Sequence, residues 1–344
     1  MNFYTLTSNK IKKNIFFTFM LVIFTFFMID IFLVMYSDLR TTNNSFIEEK
    51  SSKIKHFTLN KKLNRDIVFI GSSRTIFHIS TKIFKDYDLD IYNFGVSGNF
   101  LVDYPTYVKR AIEQKPKNIV ISIPINTLYN DITEVKNPFL EDIFFYKHIS
   151  NKQLFYNSLY YWLKNRHIFL SYSSAIVVKF KLFYDSFEPE NKKKVVIHEI
   201  SKVKSKAEQY DCKVFRRQKI NKNKIILKCI NGDGILLGSN INKKSEYKEN
   251  LKNINKKTFK ILKELVKIIS ENKIHPIIVF EPIAHNHYLY ESRHVKEWMQ
   301  NIHYIDLTNF RIEDFFWADN GHLNIEGRKI YSDYLAKYLK NKLR

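Results

Sequence analysis

Short apolar runs alternate with amphipathic or polar segments over two parts of the chain, residues 65–131 and 251–344. Five of these runs are rich in β-branched and aromatic residues and end in small or polar residues, which is typical of strands buried in a parallel sheet. They cover residues 66–70, 91–95, 117–123, 275–281 and 303–307. Because strand-like and helix-like segments alternate at short spacing, the pattern predicts an α/β fold with a doubly wound parallel sheet.

Two later segments carry a helical period. An amphipathic helix packed on the sheet is predicted where apolar residues recur at helical spacing. Those residues are Phe259, Leu262, Leu265, Val266 and Ile269. Residues 325–339 predict a closing helix. The inner face of that helix is expected to carry Ile330, Tyr334, Leu335 and Tyr338.

Residues 132–250 interrupt the alternation and predict a large insertion in the domain. The segment is rich in lysine and places Asn231-Gly232-Asp233-Gly234 between two apolar runs, which is typical of a hairpin turn. We expect the insertion to shape a substrate groove or a partner surface. Cys212 and Cys229 lie within it. Outside the cytoplasm they can form a disulfide, and the sequence leaves open whether they do.

The N-terminus predicts a membrane anchor. Residues 14–36 form one apolar run with few polar interruptions, and a membrane-spanning helix needs about 20 such residues. A cleaved signal peptide is the alternative, but its apolar region is usually ~7–15 residues long and precedes a small-residue cleavage site, which this run lacks. The lysines in residues 1–13 keep that segment in the cytoplasm. Residues 37–64 are then a juxtamembrane linker, and residues 65–344 form an extracytoplasmic domain at the cell membrane.

The composition adds a strong positive charge. The chain has 56 Lys+Arg against 34 Asp+Glu, a formal net charge of +22. Such a charge is typical of proteins that bind nucleic acid, an anionic membrane surface or an anionic polymer. The other interpretation is a compositional bias, because the lysines are spread along the chain. No nucleic-acid-binding motif is present, so no nucleic-acid partner is expected.

Ser73 is the first candidate for chemistry. It ends the turn Gly71-Ser72-Ser73 after the first apolar run, and a helix can begin directly after it. α/β folds present reactive side chains at the carboxyl ends of strands, and free N–H groups at a helix start favour developing negative charge. The other interpretation is a phosphate-binding or purely structural turn, since small residues are common in such turns.

Nucleophilic serine chemistry also needs a base, a group that orients the base, and donors for the oxyanion. His322 is the candidate base, and Asp319 precedes it by three residues and can orient the imidazole. Gly98, Asn126 and the N–H of Ser73 are the candidate oxyanion donors. All five residues follow strands or lie in the last loop, so they should meet at one edge of the sheet.

These motifs resemble those of the SGNH/GDSL hydrolase superfamily, in the membrane-anchored branch that includes bacterial cell-envelope O-acyltransferase proteins and the teichoic-acid D-alanylation protein. The matching blocks are Gly71-Ser72-Ser73, Asn93-Phe94-Gly95-Val96-Ser97-Gly98, and Asp319-Asn320-Gly321-His322-Leu323-Asn324 with Gly327. The resemblance covers residues 65–131 and 251–344 and leaves out the insertion. It implies catalytic roles for Ser73, Asp319 and His322 and an oxyanion role for Gly98.

The third block of this superfamily is matched poorly. The hydrolases usually show Gly-x-Asn-Asp, whereas this chain has Pro124-Ile125-Asn126-Thr127. Asn126 is the best match by its distance from the preceding strand, and Asn130-Asp131 is a rival. Loss of one oxyanion donor can cost on the order of 10²–10³ in rate without abolishing the mechanism.

The resemblance also implies a three-layer α/β/α, flavodoxin-like fold and a serine acyltransferase or esterase. Its substrates would be O-acyl groups, acetyl or similar, of a cell-surface polysaccharide or teichoic-acid-like polymer. A membrane-bound O-acyltransferase partner would supply the acyl group, and no cofactor or metal is expected. The alternative is a catalytically weak or inactive accessory protein for envelope polymer modification or assembly. Arg74, directly after the nucleophile, either holds an anionic acceptor or pairs with a helix carboxylate.

Overall fold

The structure is a computed structural model, and it describes residues 13–28, 45–59, 61–135, 138–166, 214–221, 224–229, 232–237, 248–251, 253–282, 287–290 and 292–343. The described strands are β1 Ile67–Gly71, β2 Ile91–Gly95, β3 Asn118–Ile123, β4 Val214–Asn221, β5 Lys224–Cys229, β6 Gly234–Leu237, β7 Lys248–Leu251, β8 His275–Phe280, β9 His287–Tyr290, β10 Tyr304–Asp306, β11 Trp317–Asp319 and β12 His322–Leu323.

The described helices begin with α1, which covers residues 13–28. The others are α2 Ser45–Leu59, α3 Ser73–His78, α4 Thr81–Asp86, α5 Pro105–Ile112, α6 Leu140–His148, α7 Lys152–Arg166, α8 Lys256–Glu271, α9 Ser292–Trp298 and α10 Ile325–Lys342. Short 3₁₀ turns cover Leu101–Asp103, Ile125–Leu128 and Asp314–Phe316.

A parallel sheet of five strands forms the centre of the fold, in the order β2-β1-β3-β8-β10. The chain adds β2 on one side of β1 and all later strands on the other, which is the strand order of flavodoxin-like doubly wound folds. The winding therefore reverses between β1 and β3. Such a reversal leaves a crevice at the carboxyl ends of the two strands, and α/β proteins bind their ligands in that crevice.

Two layers of apolar side chains cover the two faces of this sheet, because successive side chains of a strand point to opposite faces. In β1, Val68 and Ile70 face one layer, whereas Ile67 and Phe69 face the other. Helices α5 and α8 pack on the first face, and α4 and α10 pack on the second. The fold is thus a three-layer α/β arrangement, and the predicted α/β class is confirmed.

The five predicted strands are all present, and no observed end differs from the predicted one by more than one residue. The amphipathic helix is present as α8, which buries every apolar residue named for it. The predicted inner face of the closing helix α10 is wrong in part, because Ile330 and Tyr334 are 39% and 41% exposed. The buried face of α10 instead includes Arg328, Tyr331 and Ser332. Because two residues of that face, Arg328 and Ser332, are polar, apolar periodicity does not predict it.

The described part of the predicted anchor is α1, whose large apolar side chains are exposed. Residues 29–36 of the predicted span lie outside the described residues. Of the helices in the described ranges, none combines the length and the mean hydropathy that a membrane crossing requires.

Part of the segment predicted as a linker belongs to the folded domain. Helix α2 packs Phe57 into the first apolar layer. Lys50 forms an ion pair with Asp142 (N···O 3.2 Å), and both side chains are fully buried. Lys53 donates to backbone carbonyls of β2 and of the turn between β5 and β6. The packed domain therefore begins at α2 rather than near Arg65. The sequence pattern does not predict this, because the buried face of α2 includes lysines.

The insertion contributes α6, α7 and a three-stranded antiparallel sheet, β4-β5-β6. The predicted hairpin turn is confirmed, because β5 and β6 pair antiparallel with Lys228 opposite Gly234. Cys229 is disulfide-bonded, and Cys212, the other cysteine of the chain, lies outside the described residues. Strand β7, at the end of the insertion, pairs in parallel with β9.

Candidate active site

Ser73 is the first residue of α3. It follows Ser72, the N-cap residue of this helix, which comes directly after β1. The N-cap, Ser72, has an extended backbone, and its Oγ accepts a hydrogen bond from the N–H of Arg74 at 3.3 Å. The Oγ of Ser73 lies 2.8 Å from Nε2 of His322. Of the two adjacent serines, Ser72 therefore caps the helix and Ser73 presents its hydroxyl to an imidazole.

Asp319 and His322 belong to the short antiparallel hairpin β11–β12 and stand opposite each other in its register. The turn Asn320-Gly321 therefore brings the carboxylate and the imidazole together. His322 Nδ1 lies 2.8 Å from Asp319 Oδ1. The N–H of Gly321 donates to the same oxygen at 2.9 Å. Both members of the pair are thus held by one tight turn.

The three side chains form one hydrogen-bonded series from hydroxyl to imidazole to carboxylate. An ionised carboxylate can only accept hydrogen bonds, so Nδ1 of His322 carries the proton that Asp319 accepts. Nε2 then has a free lone pair for the hydroxyl proton of Ser73, which is the tautomer that a general base needs. Phe77 packs edge-on against the imidazole, with 5.4 Å between the ring centroids.

A cavity of about 540 Å³ opens beside Ser73. Its walls come from residues that follow β1, β2 and β3, where the winding of the sheet reverses, and from His322. Gly98 lies on this wall with φ +69°, a left-handed conformation that favours glycine. The predicted nucleophile, base and oxyanion glycine therefore border one cavity.

Asn126 and its rivals from the third block line the same cavity. Asn126 lies in the 3₁₀ turn after β3 and is half-buried, whereas Asn130 and Asp131 are exposed. All three residues thus border the same cavity as Ser73 and His322, and Asn126 is the one that lies nearest in sequence to the strand end.

Asn93 ties the second sequence block to the helix that carries Ser73. Its Nδ2 donates to the carbonyl oxygens of Thr75 (3.0 Å) and Ile79 (3.1 Å), and its Oδ1 accepts from the N–H of Gly95 (3.1 Å). The end of β2 and the whole of α3 are therefore fixed relative to each other.

A second histidine supports the loop that carries His322. His78, the last residue of α3, is fully buried, and its Nε2 accepts a hydrogen bond from the N–H of Leu323 at 3.2 Å. This contact places the ring proton on Nδ1. Burial is the main cause that lowers the pKa of His78 well below 6.5, and the charge of Arg74 acts in the same direction. His78 is therefore neutral.

A buried carboxyl group lies next to α3 on the inner side of the site. Glu281 follows β8 and is 1% exposed. Its Oε1 accepts hydrogen bonds from Ser122 (2.8 Å) and Thr75 (3.2 Å). Its Oε2 is buried with no hydrogen-bond partner in the described part of the chain. Burial raises the pKa of this carboxyl, although the nearby Arg74 lowers it in part.

The sequence pointed to Ser73, Asp319 and His322, and the structure brings these three together. The sequence motifs did not point to Glu281 or His78. A usable signal existed for Glu281, because a charged residue at the carboxyl end of a buried strand matches the position of the other candidates. No local signal existed for His78, whose partner Leu323 lies 245 residues away in the chain.

Across the described ranges, no three histidine, cysteine, aspartate or glutamate side chains are grouped as metal ligands would be. No protein-family model matches the chain, and no curated protein matches it. The fold and the site define the class by themselves: a three-layer α/β protein with a serine–histidine–aspartate series at the crevice of its sheet.

Proposed function

We propose that the chain is a membrane-anchored SGNH-type serine acyltransferase or esterase. Its substrates are O-acyl groups, acetyl or similar, of a cell-surface polysaccharide or teichoic-acid-like polymer. The observation that carries this proposal is the series Ser73–His322–Asp319, in which both hydrogen bonds are 2.8 Å long. The resemblance of the sequence blocks to the SGNH/GDSL hydrolases supports the same assignment.

In the first half-reaction, Ser73 Oγ attacks the carbonyl carbon of the acyl group and its proton passes to Nε2 of His322. Asp319 keeps the imidazole oriented and stabilises its positive charge. The carbonyl oxygen becomes an oxyanion, for which the N–H groups of Ser73 and Gly98 and the side-chain amide of Asn126 are the donors. The ester C–O bond then breaks, and His322 returns the proton to the departing alcohol oxygen.

In the second half-reaction, an acceptor hydroxyl attacks the acyl-serine while Nε2 of His322 takes its proton. Collapse of this second intermediate breaks the bond to Ser73 Oγ, which recovers the proton from His322. A sugar or polyol hydroxyl as acceptor gives transfer, and water gives hydrolysis. The departing and the attacking oxygen use the same position beside His322, because the second half-reaction is the reverse of the first with a new alcohol.

The predicted anchor supports a reaction at the outer surface of the membrane. With residues 1–13 in the cytoplasm and residues 14–36 as the span, the domain lies outside the cell and close to the bilayer. A membrane-bound O-acyltransferase partner would deliver the acyl group there. The net charge of +22 favours the approach of an anionic polymer.

A fluorophosphonate probe tests the nucleophile. We expect the probe to label the wild-type chain, and we expect Ser73→Ala to abolish labelling. Ser72→Ala is the matched control, because the adjacent hydroxyl that it removes only caps the helix. His322→Ala should slow labelling by about 10²–10⁴-fold, since general-base assistance is worth that factor.

Two outcomes would count against the proposal. Labelling that persists in Ser73→Ala shows that another residue reacts. Undiminished acylation of the surface polymer in a strain that carries His322→Ala would support the alternative, in which the chain is an accessory protein without catalytic activity.

A further inference from the structure

Arg74 lies between Ser73 and the turn that carries Asp319 and His322. It follows Ser73 in α3, is half-buried, and lines the cavity. Its Nε donates to the carbonyl oxygen of Gly321 at 3.2 Å, on the turn that joins Asp319 to His322. The guanidinium therefore lies on the His322 side of the nucleophile.

Arg74 forms no direct ion pair with a carboxylate of the described residues, although its charge acts on the buried carboxyl of Glu281. The hydrogen bond to Gly321 uses one of five N–H donors, and no carboxylate lies within ion-pair distance of the group. Three other arginines whose side chains are described as buried or half-buried each contact a carboxylate. These pairs are Arg65 with Asp90, Arg110 with Glu141, and Arg328 with Asp233. The interpretation in which Arg74 pairs with a helix carboxylate thus finds no partner in the described part of the chain.

The side of the cavity on which Arg74 lies decides which part of a substrate it can contact. In the proposed mechanism the alcohol oxygen lies beside Nε2 of His322, whereas the acyl oxygen lies beside Gly98 and Asn126. A guanidinium held against Gly321, the neighbour of His322, is therefore on the alcohol side.

We propose that Arg74 binds an anionic group, a carboxylate or a phosphate, on the alcohol that accepts the acyl group from Ser73. The planar guanidinium suits both kinds of oxyanion, because it can donate two parallel hydrogen bonds. This inference rests on the proposed function and adds the chemical class of the acceptor to it. Arg74 also positions the His322 turn through Gly321, so the test must separate the two roles.

Three matched sugars separate anion binding from positioning. The full-length chain is acylated with 4-nitrophenyl acetate, and glucose, glucuronate and glucose 6-phosphate are compared as acceptors by the amounts of their acetyl esters. We expect one or both anionic sugars to exceed glucose in kcat/KM by about tenfold or more, as a charge-assisted hydrogen bond predicts. The carboxylate and phosphate arms show which oxyanion is preferred.

Arg74→Gln should erase that preference, and Arg74→Lys should retain part of it because the charge remains. Arg311→Gln is the matched control, since it removes the same charge from an exposed arginine. If Arg74→Gln lowers kcat/KM for all three sugars by the same factor, Arg74 only positions the His322 turn and the inference is overturned.

A binding measurement keeps the inference testable even if no turnover occurs. Glucose 6-phosphate and glucuronate are titrated calorimetrically into full-length Ser73→Ala at low ionic strength. Adding Arg74→Gln should weaken binding of the preferred sugar at least tenfold, and adding Arg311→Gln should not. Equal affinity with and without Arg74 overturns the inference. Absence of fluorophosphonate labelling at Ser73 overturns the proposed function instead, so the two failures are distinct.

Discussion

Neighbouring residues at the end of β1 have roles that their backbone decides. Ser72 is extended and its hydroxyl accepts from the helix, so it acts as an N-cap. Ser73 is the first helical residue, and its hydroxyl meets His322. Loss of a cap typically costs about 0.5–2 kcal/mol of stability, whereas loss of the Ser73 hydroxyl removes the proposed nucleophile. A single step along the chain therefore separates a structural role from a chemical one.

The sequence predicted the triad because each member carries a local signal. Ser73 ends a strand in a turn of small residues, and Asp319 and His322 flank an Asn-Gly turn. Glu281 and His78 are different. Their roles depend on burial and on partners from distant parts of the chain, such as Ser122 for Glu281. Only the assembled tertiary structure determines whether a polar side chain is enclosed.

We expect the free energy of unfolding to fall as pH rises and the Glu281 carboxyl ionises. Its pKa is raised in the folded state by burial, so the folded chain holds this proton more tightly than the unfolded chain does. The stabilisation is complete below the unfolded pKa and is lost as pH rises through the folded pKa. Glu281→Gln keeps the acceptor oxygen and cannot ionise. The variant should therefore gain stability relative to wild type as pH rises, by about 1.4 kcal/mol for each unit by which the pKa is raised.

Urea unfolding at a series of pH values from 4 to 9 measures this difference. Glu271→Gln is the control, because its carboxylate side chain is 61% exposed. A constant difference between wild type and Glu281→Gln at every pH would show that Glu281 titrates alike in the folded and unfolded chains.

At the scale of elements, strands were easier to predict than the faces of helices. The strands of the central sheet are buried on both sides and read as continuous apolar runs, so their positions were clear. The closing helix α10 buries Arg328 and Ser332 against the domain, and α2 buries Lys50 and Lys53. Apolar periodicity cannot reveal a face whose contacts are ion pairs and hydrogen bonds.

The hairpin of the insertion docks on the domain through one such polar contact. Asp233, in the turn between β5 and β6, forms an ion pair with Arg328 of α10 at 2.7 Å, and the two side chains are 1% and 3% exposed. Asp233 also accepts from the N–H and hydroxyl of Thr81 at 3.0 and 2.9 Å. Neighbouring Gly232 has φ +93°, and an added Cβ would lie 2.3 Å from the carbonyl oxygen of Asn93. The turn thus fits closely between α4, α10 and β2.

Asp233→Asn should destabilise the chain by about 3–5 kcal/mol, because it leaves the buried charge of Arg328 without its partner. Asp88→Asn is the matched control. Asp88 pairs with Lys340 at 3.4 Å, but its side chain is 90% exposed. That change should cost no more than about 1 kcal/mol. Urea unfolding with the disulfide of Cys229 intact gives both values.

The double variant Asp233→Asn/Arg328→Met separates the ion pair from general disruption. Removal of both partners relieves the unpaired charge, so the double variant should be more stable than Asp233→Asn alone. If Asp233→Asn costs no more than Asp88→Asn, the insertion is held by other contacts.

For the whole molecule, the strand order sets the position of the site. The alternation of strands and helices predicted a parallel sheet, but the order β2-β1-β3-β8-β10 depends on which strands pair across long connections. The order matters because it places the ends of β1 and β3 side by side. Ser73 follows the first of these strands and Asn126 follows the second, so the topology alone brings them to one cavity.

Two truncations test where the anchor ends and the domain begins. A chain of residues 37–344 should leave the membrane fraction, whereas the full chain should stay there after an alkaline carbonate wash. Residues 37–344 should also remain folded. A chain of residues 61–344 lacks α2, loses both the packing of Phe57 and the ion pair of Lys50 with Asp142, and should lose several kcal/mol of stability.

Release of the full chain by carbonate would contradict the predicted anchor. Equal unfolding midpoints for the two truncated chains would show instead that α2 adds nothing to the domain. The two measurements are independent, so either result can be obtained without the other.

The buried ion pair of α2 also limits how far the site can travel from the bilayer. Because α2 is fixed to the domain, only residues 37–44 separate the predicted span from folded structure, and that stretch extends to at most about 28 Å. If the chain has the proposed function, it reaches only the segment of a surface polymer that lies within this distance of the membrane. A long polymer would then be acylated while it is still emerging rather than after it has grown outward.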